Sequence, residues 1–321
     1  MLNGFISSSK RFLGGLWFRM AILACPFCQS KPWKMACAVN RVVPRGGVTK
    51  KNFAESRVIC PGWLGAGFLI VGFCLLVSAV AGDWTRLGDY LSAPARNWER
   101  YEPDSAGVIQ SYADLLDETR QQPPAVEASP RETMDRLYWL VVKRFTHREA
   151  SHTFFSNWIA FGLGIINPGF SHIWDVDLMV GKGHSLLCDQ SSYLLLRLAH
   201  DHGIKVRHVG LDGHVVMEAW YAGDWHLYDP DLEVVPVDPA GQVLSVDRLA
   251  KEKNLLEHYY GRHGMVEIVG SRENDNYVSY PEAARFTWQA EVLARLEKVT
   301  QVMKYLVPVL LLLIGLRLSF R

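Results

Sequence analysis

Cys188 is the one cysteine of six that lies beyond residue 75, and it follows Gly181-Lys182-Gly183-His184-Ser185. An almost wholly apolar run comes next, with Tyr193, Leu194, Leu195, Leu196, Leu198 and Ala199. This pattern predicts a buried helix carrying the cysteine in its first turn. Unpaired backbone N–H groups and the positive end of the helix dipole favour a thiolate at that position. A thiolate nucleophile needs a base, and the base needs an acceptor that fixes its tautomer. Gly213-His214 opens an apolar stretch, Val215–Tyr221, and Asp229 closes the next one, Trp225–Pro230, with Ala222-Gly223-Asp224 between them. Two strands around such a turn make a hairpin and set His214 and Asp229 side by side as cross-strand neighbours. Asp231 is the second choice for the acceptor.

Other groups compete less well. His184 lies four residues before Cys188 but has no acid partner on a strand. His200, His202 and His226 read as surface or supporting groups. Asp175, Asp177 and His184 match no compact ligand motif, so no metal is expected. No organic cofactor is expected either. Trp220 and Trp225 read as a hairpin pair.

The elements that must position these residues can be read around them. Arg131–Phe145 has a helical apolar period after Ser129-Pro130, and Trp158–Ile166 is apolar and ends at Asn167-Pro168-Gly169. Gly203 stops the Cys188 helix, and Ile204–Val209 alternates as a strand. A helix followed by consecutive antiparallel strands indicates an α+β fold. Arg285–Lys304 reads as a further helix, with Phe286, Ala290, Leu293 and Leu296 on its apolar face.

A Gly-rich turn, a cysteine at a helix start, "HGIKVRHVGL" and "GHVVMEAWYAGDWHLYDPD" together resemble the transglutaminase-like superfamily of papain-related folds. The resemblance covers about residues 181–235. It implies a Cys-bearing helix packed on an antiparallel sheet, a core of about 131–240, and the roles of nucleophile for Cys188, general base for His214 and orienter for Asp229. Members often have a glycine two residues before the cysteine, whereas this chain has Leu186. For the oxyanion, only the Cys188 backbone N–H is expected. The implied chemistry is acyl transfer from an amide of a protein or peptide through a thioester, by hydrolysis or by transfer to an amine. The rival reading is a non-catalytic scaffold of the same fold in envelope or exopolysaccharide assembly, with partners to match.

Charge places the domain. Residues 1–57 carry ten Lys/Arg against one acid, and the remainder carries 24 against 32. That asymmetry is not the footprint of a nucleic-acid binder. Twenty-five uncharged residues, 58–82, separate Arg57 from Asp83, enough to span a bilayer. Ser78–Gly82 could instead serve as a signal-peptide cleavage site if translation began at Met35. A second apolar run, Tyr305–Leu316, lies between Lys304 and Arg317 and contains Pro308. Its twelve residues are short for a span, so 305–318 is expected as either a transmembrane or an interfacial helix. The positive-inside rule predicts residues 1–57 as a disordered cytoplasmic tail and residues 83–304 as an extracytoplasmic domain, and the resemblance implies a bacterial inner-membrane member. Cys25-Pro26-Phe27-Cys28 has the spacing of a redox or zinc motif, but Cys37 is its sole further ligand, and no function is assigned to it.

Overall fold

A computed structural model describes residues 61–121, 128–271, 274, 276–281 and 284–320. The basic tail, the Cys25-Cys28 pair and residues 122–127 lie outside the described residues.

The described part opens with helix α1 (Pro61–Trp84), followed by α2 (Pro103–Val108), α3 (Tyr112–Gln121) and α4 (Pro130–Arg144). Ser129 starts α4 through a capping box with Glu132, which satisfies two orphan amides reciprocally. Strand β1 (Thr146–His147), helix α5 (Phe154–Ile166), helix α6 (Val176–Gly181) and strand β2 (Ser185–Leu186) follow. Helix α7 (Cys188–Asp201) then leads into strands β3 (Lys205–Leu211), β4 (His214–Tyr221) and β5 (Asp224–Tyr228). Three short helices, α8 (Val246–Leu249), α9 (Lys253–Tyr260) and α10 (Val266–Val269), precede strand β6 (Asn276–Tyr280) and the long helix α11 (Ala284–Ser319).

The molecule is therefore mixed helix and sheet, with an antiparallel sheet of order β5-β4-β3-β6. Tight turns set its register. Gly213 has φ +97° in the turn after Asp212, and Ala222 and Gly223 both have positive φ, as a two-residue hairpin requires. The sheet has two covered faces. Val206, Met217, Ala219 and Tyr228 pack toward α4 and α7, where Leu194, Leu195 and Leu198 are fully buried. Burying each such leucine contributes about 1.5–3 kcal/mol. Val209, Val216 and Leu227 face the opposite way, onto Leu249, Leu256 and Tyr260.

Helices α1 and α11 are both long and apolar enough to cross a membrane. They pack through small residues. A Cβ on Gly72 would stand 2.9 Å from the Pro308 carbonyl oxygen, and one on Gly315 would stand 2.9 Å from the Gly65 carbonyl oxygen. Such close backbone approach is how apolar helices associate where hydrophobic burial gives no advantage. The helix expected over 285–304 and the apolar segment 305–318 form one helix, α11, which runs unbroken through Pro308. Proline deprives the carbonyl four residues earlier, Lys304, of its helical partner. Here the indole Nε1 of Trp158 on α5 donates to that carbonyl at 3.2 Å. Around it, Lys304 Nζ donates to Asp83 Oδ1 at 2.7 Å and to the Ser156 carbonyl at 2.9 Å. Asn157 donates to Thr300 at 2.7 Å. The two long helices and α5 thus meet in one polar knot at the edge of the domain.

Candidate active site

Cys188 is the first residue of α7, and two separate clamps fix that helix start. The Gln190 side chain accepts from the Ala150 N–H and donates to the Ala150 and Ile173 carbonyls, all within 2.9 Å. His172 lies between Glu149 (3.1 Å) and Asp189 (3.2 Å). Burial opposes charge on that imidazole, but Asp189 and then Glu149 outweigh it and push its pKa up to about 10. The Gly-rich approach runs through β2, which pairs in parallel with β1, so His147 faces Leu186 across the ladder.

His214 is the first residue of β4, directly after the Asp212-Gly213 turn. A Cβ on Gly213 would meet nothing within 4 Å, so this glycine serves the turn's positive φ and not a close approach. The His214 Nε2 lies 2.8 Å from Asp229 Oδ2. The pairing differs in detail from direct cross-strand neighbours. Met217 faces Tyr228, so one step on Asp229 faces Val216, and His214 reaches it diagonally on the same face. Asp229 lies one residue past β5 and bridges back to Val234. Its carboxylate also accepts from the Tyr260 hydroxyl at 3.1 Å and from the Leu232 N–H at 3.1 Å.

Asp231 projects from the intervening turn. Its Oδ1 lies 2.6 Å from His147 Nδ1. A donor atom from each of Cys188, His214 and Asp231 lies within 4.8 Å of the other two. Asp231 is therefore not a substitute for Asp229 but a member of the site in its own right. Trp98 closes the neighbourhood edge-on to His147 and His263, with ring centroids 6.5 and 5.0 Å away.

The electrostatics differ from the expected ready-made thiolate. Cys188 keeps a window to solvent but is enclosed by protein on most sides. That burial pushes its thiol up to about 11. The His214 imidazole pulls the other way, and the carboxylates of Asp231 and Asp189 add to the rise. For His214, burial opposes the charged ring, but the Asp229 charge and hydrogen bond prevail and hold its pKa well above the ordinary value. Burial raises the Asp231 carboxyl as well, against the pull of His147. The enclosed site holds protons tightly.

The competing groups lie elsewhere. His184 stacks on Tyr101 at 5.2 Å. His202 approaches Thr119 at 2.9 Å, and His200 lies edge-on to Tyr280. His226 is buried, contrary to a surface reading, and is bound between the Val243 and Tyr221 carbonyls. Asp175 caps α6 and pairs with Lys298, while Asp177 accepts from the Tyr112 N–H. Trp220 and Trp225 form the hairpin pair, 5.2 Å apart. Sequence reasoning missed His147 and Tyr260. The signal for His147 was its place after the α4 helix, where a chain turns back toward the core.

Comparison with protein-family models, curated proteins and solved structures returned no match to this chain.

Proposed function

We propose that the chain is a membrane-anchored cysteine acyl-transfer enzyme with a transglutaminase-like, papain-related core, acting on amides of proteins or peptides. The observation that carries the reading is the row of Cys188, His214 and Asp229, with the thiol at a helix start and the imidazole anchored by a buried carboxylate at 2.8 Å. With Nε2 given to Asp229, Nδ1 is the ring atom left for the thiol proton. In the reaction Cys188 Sγ bonds to the amide carbon, and the C–N bond breaks. His214 passes the proton to the departing nitrogen, and water or an amine then takes the acyl group from the thioester. The Cys188 N–H, in a first turn without an intrahelical acceptor, is aimed to steady the oxyanion.

Burial is the largest cause of the high thiol pKa, so opening toward substrate lowers it while Asp229 keeps the imidazole charged. Incubating the full chain with a peptide pool and a fluorescent primary amine tests this reading. New amino termini mean hydrolysis, and fluorescent peptides mean transfer. Either activity should vanish in Cys188→Ala; neither in the wild type, or both persisting in Cys188→Ala, contradicts it. The enclosed, proton-laden thiol also favours a second reading, a catalytically silent scaffold for envelope assembly. That reading requires Cys188→Ala to behave as wild type in every assay.

A further inference from the structure

Three donors of different chemistry converge in this domain from three separate elements. They are the Cys188 sulfur at the head of α7, a His214 ring nitrogen at the head of β4 and an Asp231 carboxylate oxygen in the turn after β5, mutually within 4.8 Å. Both non-sulfur donors are already held from behind. Asp229 takes His214 Nε2 at 2.8 Å, and His147 takes Asp231 Oδ1 at 2.6 Å. Nδ1 of the one and Oδ2 of the other remain to converge with the sulfur. Outer partners that orient a histidine and a carboxylate in this way are the supporting shell of metal sites.

The donor set also selects among metals. Thiolate, imidazole and carboxylate in one small cluster suit Zn2+, whereas Ca2+ and Mg2+ demand oxygen ligands. Tetrahedral zinc with bonds of about 2.0–2.3 Å separates its ligands by about 3.3–3.7 Å, so the donors need to close by only about 1 Å. A dication also answers the charge of the place, where Asp231 is buried near the thiol and Asp229 is buried behind His214. Three protein ligands leave one position to water.

We propose that Cys188, His214 and Asp231 form a Zn2+ site, with Asp229 and His147 as its supporting shell. Binding replaces the thiol proton and the Nδ1 proton, both released to solvent, and no redox change occurs. The metal-held thiolate is then withheld from carbonyl attack, so zinc and acyl transfer exclude each other; this last clause alone rests on the proposed function.

The test uses the full chain in detergent micelles, with Cys25, Cys28, Cys37 and Cys60 changed to serine so that Cys188 is the one thiol outside the long helices. After chelator treatment the protein is titrated with Co2+ and then with Zn2+. One equivalent of Co2+ should give a thiolate-to-cobalt charge-transfer band and tetrahedral visible bands, both removed by Zn2+. Cys188→Ser should abolish the charge-transfer band. Asp231→Asn should weaken Co2+ binding at least about tenfold, and His147→Ala by about 10–100-fold. His184→Ala should leave binding unchanged, and circular dichroism with thermal melting identifies any variant that has not folded. Absence of the band in the folded protein overturns the proposal, as does a band that survives Cys188→Ser or is indifferent to both His214→Ala and Asp231→Asn. Acyl transfer without metal binding would sink the zinc site alone; metal binding by a protein whose metal-free form carries out no acyl transfer would sink the enzyme reading alone.

Discussion

Two opposing fields act on Cys188, and the sign of each can be measured. Burial raises the thiol to about 11, Asp231 and Asp189 raise it further, and the His214 imidazole lowers it. Only the thiolate reacts with iodoacetamide, so the rate in the presence of chelator should be slow at pH 7 and climb through pH 9–11. Asp231→Asn removes a like charge and should shift this profile to lower pH. His214→Ala removes the countercharge and should shift it to higher pH. Equal profiles for both variants would show that the thiol feels neither group. Cys188 and His214 were legible because each opens an element, one a helix and one a strand, and such positions carry strong local signals. The pairing of Asp231 with His147 was not legible, because 84 residues separate them and β1 contributes only two residues to a ladder. Tyr260 was hidden for the same reason, its hydroxyl reaching Asp229 from a helix 31 residues away.

The junction of α1, α5 and α11 depends on a few polar contacts among apolar helices. Trp158→Phe keeps the ring volume but leaves the Lys304 carbonyl without its donor, a loss of about 1–3 kcal/mol for a buried acceptor. Gly72→Leu forces a side chain against the Pro308 carbonyl oxygen and should part the two long helices. Both variants should lower Tm in micelles, the second more than the first, while Trp63→Phe, on an exposed position of α1, should not. Unchanged melting of the first two would show that the knot is not structural. Periodicity located α4, α7 and the hairpin because each is a local pattern bounded by its own cap or glycine. What lets α11 continue through Pro308 was not legible, since the tryptophan that replaces the lost hydrogen bond lies 146 residues from the carbonyl it serves. Strand β6 was invisible for a related reason: its register comes from pairing with β3, and not from alternation within Asn276–Tyr280.

At the scale of the whole molecule, charge asymmetry carries the proposed topology. Ten basic residues against one acid before the first apolar helix should hold residues 1–57 in the cytoplasm and place the Cys188 domain outside, with Arg317 and Arg321 returning to the cytoplasmic side. A reporter active only outside the cytoplasm, inserted after Lys251, should therefore be active, and activity of a cytoplasm-only reporter there would reverse the layout.

Cys188, His214 and Asp229 are proposed to act as one unit, and covalent capture by a peptidyl vinyl sulfone reads their joint action. The second-order rate of adduct formation on the full chain, read by intact mass, should be lost in Cys188→Ala and fall by orders of magnitude in His214→Ala. It should fall strongly in Asp229→Asn as well, because the imidazole loses the carboxylate that fixes its tautomer and charge. His184→Ala, which removes a ring stacked on Tyr101, should retain most of the rate. If His184→Ala is as damaging as His214→Ala while Asp229→Asn is silent, the base is misassigned; if wild type forms no adduct at Cys188, Cys188 is not a nucleophile.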